Sequence, residues 1–121
     1  MASMFRPIAL VVEDDEMQRS LVSVLFEESE IGVIACESAE EALRVLAKFG
    51  DRLSLMFADV QLSGDMDGIE LACIARRRYP DLYVIVTSGS AVPRELPEGA
   101  RFMAKPWLAL DLLREAERVR H

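Results

Sequence analysis

The chain has 121 residues, 51 % of them hydrophobic, two cysteines and a formal net charge of −7 at pH 7. That length and apolar content suit one domain over residues 1–121 and exclude wholesale disorder; the acidic balance excludes a phosphate-neutralising nucleic-acid face. No apolar stretch approaches the ~20 residues of a membrane span, no secretory signal pattern opens the chain, and Cys36 and Cys73 stand at no metal or redox spacing, so a cytoplasmic protein is expected.

Five apolar runs alternate with segments of helical period. Ile8–Val12 is the first strand, nearly continuous in apolar residues as a strand covered on both faces should be. Met17, Leu21, Val24 and Leu25 then recur at i, i+4, i+7 and i+8, which predicts the inward stripe of a first helix, with Asp15 as its cap and Gln18 three residues on. A second strand covers 32–35. The second helix opens on Ser38-Ala39-Glu40-Glu41, read as a reciprocal capping box, and carries its stripe on Ala42, Leu46 and Phe49.

The third strand is expected over 53–58, followed by a nine-residue loop from Val60 to Gly68, longer than the ~2–6 residues usual for such connections. Asp67 with Glu70 caps a third helix ending near Arg78, before Tyr79-Pro80. Arg76, Arg77 and Arg78 read as a charged last turn complementing the helix dipole. A fourth strand covers 82–87 and a fifth 101–104. Ala109, Leu112, Leu113, Ala116 and Val119 line a last helix. Strand alternating with helix implies a parallel sheet with right-handed crossovers, which binds ligands at the carboxyl ends of its strands.

Those ends carry chemistry. Strand one delivers Glu13-Asp14-Asp15, strand three Asp59, strand four Thr87-Ser88 and strand five Lys105-Pro106. Carboxylates crowded on one rim repel unless a hard cation sits among them, and magnesium takes such oxygen donors. A carboxylate can attack phosphorus to form an acyl phosphate, and positioning with cationic clamping does most of the catalysis. Read singly, the acids could be helix caps or turn residues, Thr87 a strand-end hydroxyl and Lys105 a solvated charge. Their meeting at four strand ends favours a site.

With these residues in view, the sequence resembles a response-regulator receiver domain, the phosphorylated module of two-component signalling. The resemblance rests on Val11-Val12-Glu13-Asp14, Ala58-Asp59, Met66-Asp67-Gly68-Ile69-Glu70-Leu71, Val86-Thr87-Ser88-Gly89 and Phe102-Met103-Ala104-Lys105-Pro106. It implies a flavodoxin-like (βα)5 doubly wound parallel sheet of order 2-1-3-4-5. It further implies that Asp59 takes a phosphoryl group from a sensor histidine kinase or phosphotransfer protein. Magnesium or manganese would be held by Glu13, Asp14, Asp59 and the backbone carbonyl of Gln61. Thr87 would bind a phosphoryl oxygen, Lys105 would pair with it, Phe102 would be the switch aromatic, and Lys105–Pro106 is a candidate cis bond. The downstream target would be a protein, with no role for nucleic acid or membrane.

Three features depart from that pattern. Ser88–Ala100 holds Gly89, Pro93, Pro97 and Gly99, which leaves little room for a fourth crossover helix, expected to be short, irregular or missing. Ser63 stands where a proline is common, and Asp65 reads as an extra loop residue. Phe102 lacks a tyrosine hydroxyl. Met66 is expected to fill a gap and Trp107 to pack the start of the last helix; His121 is uninformative. With no output segment after residue 121, a stand-alone regulator is expected, a receiver cut from a hybrid kinase being the alternative. Two other functions compete: a pseudo-receiver that only binds protein, and an aspartyl-phosphate phosphatase. The phosphatase would want a second acid where Gln61 stands.

Overall fold

The computed structural model describes residues 6–91 and 95–119. The order is β1 (Ile8–Val12), α1 (Glu16–Glu28), β2 (Gly32–Cys36), α2 (Ala39–Phe49), a 3-10 turn (Gly50–Arg52), β3 (Leu55–Asp59), α3 (Gly68–Arg78), β4 (Tyr83–Ser88), β5 (Arg101–Ala104) and α4 (Ala109–Glu117). All five strands are parallel, in the order β2-β1-β3-β4-β5. This is the doubly wound sheet expected. The inner strands β1 and β3 show why their sequences are continuously apolar: Leu10, Val12, Met56 and Ala58 face a layer formed by α2 and α3, whereas Ala9, Val11, Leu55 and Phe57 face α1 and α4. Successive side chains point to opposite faces, so a strand covered on both sides needs apolar residues at every position.

Of the stripe expected for α1, only Leu25 faces inward. Val22, Leu25 and Phe26 are buried, while Met17 is 81 % exposed and Leu21 and Val24 lie half in solvent. Two apolar stripes share this helix, and the bulkier Phe26, stacked edge-on against Phe57 with centroids 6.1 Å apart, takes the core side. The cap of α2 is also only half the expected box. Ser38 accepts the Glu41 N–H, but the Glu41 carboxylate accepts from Glu37 N–H rather than from Ser38. The full reciprocal box forms at α3, between Asp67 and Glu70. Leu53, placed in β3 from the sequence, belongs to the preceding turn, its N–H directed at the carbonyls of Phe49 and Gly50.

Between β4 and β5 the described residues contain no helix; Pro93 and His121 lie outside them. Leu96 and Ala100 instead pack directly on the core layer of α2 and α3. Arg76 ties this segment down. Its guanidinium donates to the carbonyls of Glu98 at 3.0 Å and Leu82 at 2.9 Å and to that of Pro80. The last-turn arginine of α3 is therefore a clamp as well as a dipole partner. Arg76→Ala is expected to cost about 2 kcal/mol through loss of charge-assisted bonds, read as a lower urea midpoint at unchanged slope. An unchanged midpoint would show that the segment is held by apolar packing alone.

Candidate functional site

The sheet register assembles the site. Val12 lies beside Ala58, Asp59 beside Thr87, and Thr87 beside Met103, so residues at or just past the ends of β1, β3, β4 and β5 meet on one rim. Asp15 caps α1 through its carboxylate and the Gln18 N–H at 3.0 Å, leaving Glu13 and Asp14 for other work. Gly68 lets α3 begin against the end of β3: its N–H reaches the Val60 carbonyl at 2.9 Å.

Asp59 is 5 % exposed, and both its oxygens are engaged. Oδ1 accepts the Gln61 N–H at 2.8 Å, and Oδ2 accepts from the Lys105 ammonium. Glu13, 4 % exposed, accepts the Asp15 N–H through Oε2 and has Oε1 3.7 Å from the same ammonium. Burial pushes the Glu13 carboxyl up to about 7; hydrogen bonding to Asp14 and the charge of Asp59 act in the same direction, while the Asp15 N–H and Lys105 oppose them. Such a group is short of positive charge. Lys105, reached through a cis Lys105–Pro106 bond, also donates to Gln18 Oε1 at 2.8 Å, so one ammonium serves three acceptors.

Thr87 is buried, and its hydroxyl donates to the Met103 carbonyl at 2.7 Å while accepting the Trp107 indole N–H at 3.1 Å. Ser88 is turned elsewhere, its Oγ taken by the Ser90 N–H. Phe102 is half-buried and lines a surface cleft with Arg101 and Arg114. Met66 packs on the α2–α3 core layer as a gap-filler, and Trp107 packs on the opposite layer against Phe57.

Among the described residues no three acidic, histidine or cysteine side chains converge closely enough to hold a metal ion; the Lys105 ammonium occupies the space between Asp59 and Glu13. The donor set still fits a hard divalent cation in kind, being the carboxylate oxygens of Glu13 and Asp59 close together at the strand ends.

A family model described as the response regulator receiver domain matches residues 9–115. The chain belongs to that family. It is 38 % identical over 109 residues to the response regulator protein FleR of Pseudomonas aeruginosa, a match covering 86 % of this chain but 22 % of FleR. It is 31 % identical over 117 residues to the response regulator receiver protein CpdR of Brucella abortus, covering 93 % of this chain and 94 % of CpdR. Among solved structures, a response regulator receiver domain protein from Clostridium thermocellum superposes with a TM-score of 0.84 at 20 % identity, over 93 % of each chain. Receiver domains are the regulatory phosphoacceptors of two-component systems, and no helix among the described residues of this one is long and apolar enough to cross a membrane.

Two residues at the receiver's rim escaped the sequence reading. In the sequence Gln18 stands only as part of the α1 cap, and Trp107 as packing or, if exposed, as an interface residue. The signal for Gln18 was its spacing, four residues after Asp14 on the first turn of α1. Nothing local in the sequence marks Trp107 as a partner of Thr87.

Proposed function

We propose that residues 1–121 are one receiver domain acting as a phosphorylation-activated switch, with Asp59 as phosphoacceptor. A buried carboxylate at the end of β3, held by Lys105 and facing Thr87 across the β3–β4 register, is the observation that carries this reading. The phosphoryl group would come from a phosphohistidine on a sensor histidine kinase or phosphotransfer protein, or from a small phosphodonor. An Asp59 carboxylate oxygen attacks phosphorus, the bond from phosphorus to the donor's nitrogen breaks, and the electron pair leaves with the imidazole. Lys105 shifts from the carboxylate to a phosphoryl oxygen, and the Thr87 hydroxyl turns to another. Magnesium or manganese, held by Glu13, Asp14, Asp59 and the Gln61 carbonyl, would supply further neutralisation of the phosphoryl charge.

The exposed stripe of Met17, Leu21 and Val24 starts on the helix that leaves the site. It offers an apolar face on which the phosphodonor protein can seat itself with its histidine above Asp59. The same reading places the chain in the cytoplasm, with a protein as its downstream target.

Intact-mass measurement after incubation with magnesium and acetyl phosphate tests the assignment. The wild type should gain one phosphoryl group, and Asp59→Asn or a chelator should abolish the gain. No gain under any condition, or equal gain in Asp59→Asn, would refute it.

A further inference from the structure

The Thr87 hydroxyl donates and accepts on the side away from Asp59. A hydroxyl has one proton to donate, and Thr87 gives it to the Met103 carbonyl of β5. One of its lone pairs takes the Trp107 indole N–H. Both partners lie toward β5 and the start of α4, whereas Asp59 lies on the β3 side of Thr87. Before this hydroxyl can donate to a group on Asp59, its proton must leave the Met103 carbonyl, and a side-chain rotation that carries Oγ toward β3 breaks the Trp107 bond as well.

We propose that Trp107 is a positioning residue that latches Thr87 in the unphosphorylated orientation, through the hydrogen bond from its indole nitrogen to the threonine hydroxyl. The inference rests on Asp59 being the phosphoacceptor and adds to that reading a residue that sets how readily the switch is thrown. The indole is well seated for such a task. Its ring meets Phe57 edge-on, with centroids 5.9 Å apart and planes at 84°, and Phe57 in turn meets Phe26 of α1. The ring therefore cannot simply follow the hydroxyl when Thr87 turns. An indole N–H only donates, so releasing Thr87 leaves it in need of another partner, a cost set against the phosphorylated state. The same stack leads from Thr87 through Trp107 and Phe57 to the α1–α4 layer. The switch then has a mechanical route that does not use the segment between β4 and β5, whose described residues form no helix.

Trp107→Phe keeps a ring on Phe57 and removes the indole donor. By calorimetry with magnesium and beryllofluoride, a phosphoryl mimic, the variant should bind about fivefold more tightly than the wild type, the size of one net hydrogen bond. Trp107 is the chain's single tryptophan, so emission reports the latch with no substitution at all. Acetyl phosphate with magnesium should shift the wild-type spectrum. Thr87→Ala should show a shifted spectrum before any phosphodonor is added, and no further change afterwards. Equal or weaker binding by folded Trp107→Phe, or an unchanged spectrum in wild type whose mass shows the phosphoryl group, would overturn the latch while leaving Asp59 as acceptor. If the wild type gains no mass, the phosphoacceptor reading fails and the latch falls with it. Should Trp107→Phe not fold, the wild-type and Thr87→Ala spectra decide alone.

Discussion

Lys105→Met is expected to lose about 2 kcal/mol of stability and to take up phosphoryl groups about 100-fold more slowly. The ammonium sits between Asp59 and Glu13, both almost entirely buried, and also holds Gln18. Removing one partner of a buried ion pair leaves an uncompensated charge and commonly costs 3–5 kcal/mol. The lower figure follows because the Lys105 side chain is 24 % exposed, so water screens part of the loss. The rate effect has a separate origin. Charge builds on the phosphoryl oxygens during transfer, and a preorganised cation near them is worth roughly two orders of magnitude. Urea midpoints should be compared with a chelator present, so that no added cation substitutes for the ammonium; rates should be compared with magnesium and acetyl phosphate. Lys105→Arg separates the two effects. It keeps the positive charge and should recover most of the stability, but its planar fork does not reproduce a compact point charge, and the rate should recover little. Wild-type rates in Lys105→Met would remove Lys105 from the chemistry.

Much of this site could be read from the sequence because parallel strands buried on both faces announce themselves. Ile8–Val12 and Leu55–Ala58 are continuous apolar runs, and the first polar residue after each, Glu13 and Asp59, falls at a strand's carboxyl end. That the described residues between β4 and β5 form no helix was also legible, since proline and glycine sustain one poorly. Legibility ended where one period admits two phases. In α1, Met17-Leu21-Val24-Leu25 and Val22-Leu25-Phe26 both satisfy helical spacing; Leu25 belongs to both and is buried, and the contact of Phe26 with Phe57 selects the second. It ended again where a hydrogen bond joins residues distant in the chain. Gln18 meets Lys105 across 87 positions and Trp107 meets Thr87 across 20. Glu41 shows a milder form of the problem: its carboxylate accepts from the Glu37 N–H and not from that of Ser38. The clamp by Arg76 combines both kinds, a helix-end residue recognised for its charge whose targets lie on another segment.

Gly68→Ala should be the most damaging single methyl in the chain, costing about 3 kcal/mol and slowing phosphorylation at the same time. A Cβ on Gly68 would stand 2.0 Å from the Asp59 carbonyl oxygen and 2.7 Å from its carbon. Neither atom can swing aside as a flexible side chain would, because the Asp59 backbone is part of β3 and pairs with Thr87. Relief requires the first turn of α3 to back away from the strand end, and the Gly68 N–H to Val60 carbonyl bond is what holds it there. Alanine's better helix propensity returns about 1 kcal/mol at most, which does not offset the clash. The displacement falls on the phosphoacceptor itself and on the loop carrying Gln61, whose N–H fixes one Asp59 oxygen. The urea midpoint should drop, and phosphoryl uptake should slow even at temperatures where the variant stays folded. Exposed Gly89 serves as the control. A Cβ there would meet nothing within 4 Å, so Gly89→Ala should leave the midpoint nearly unchanged. If Gly68→Ala proved as mild as that control, the close approach of α3 to β3 would not be what sets the position of Asp59.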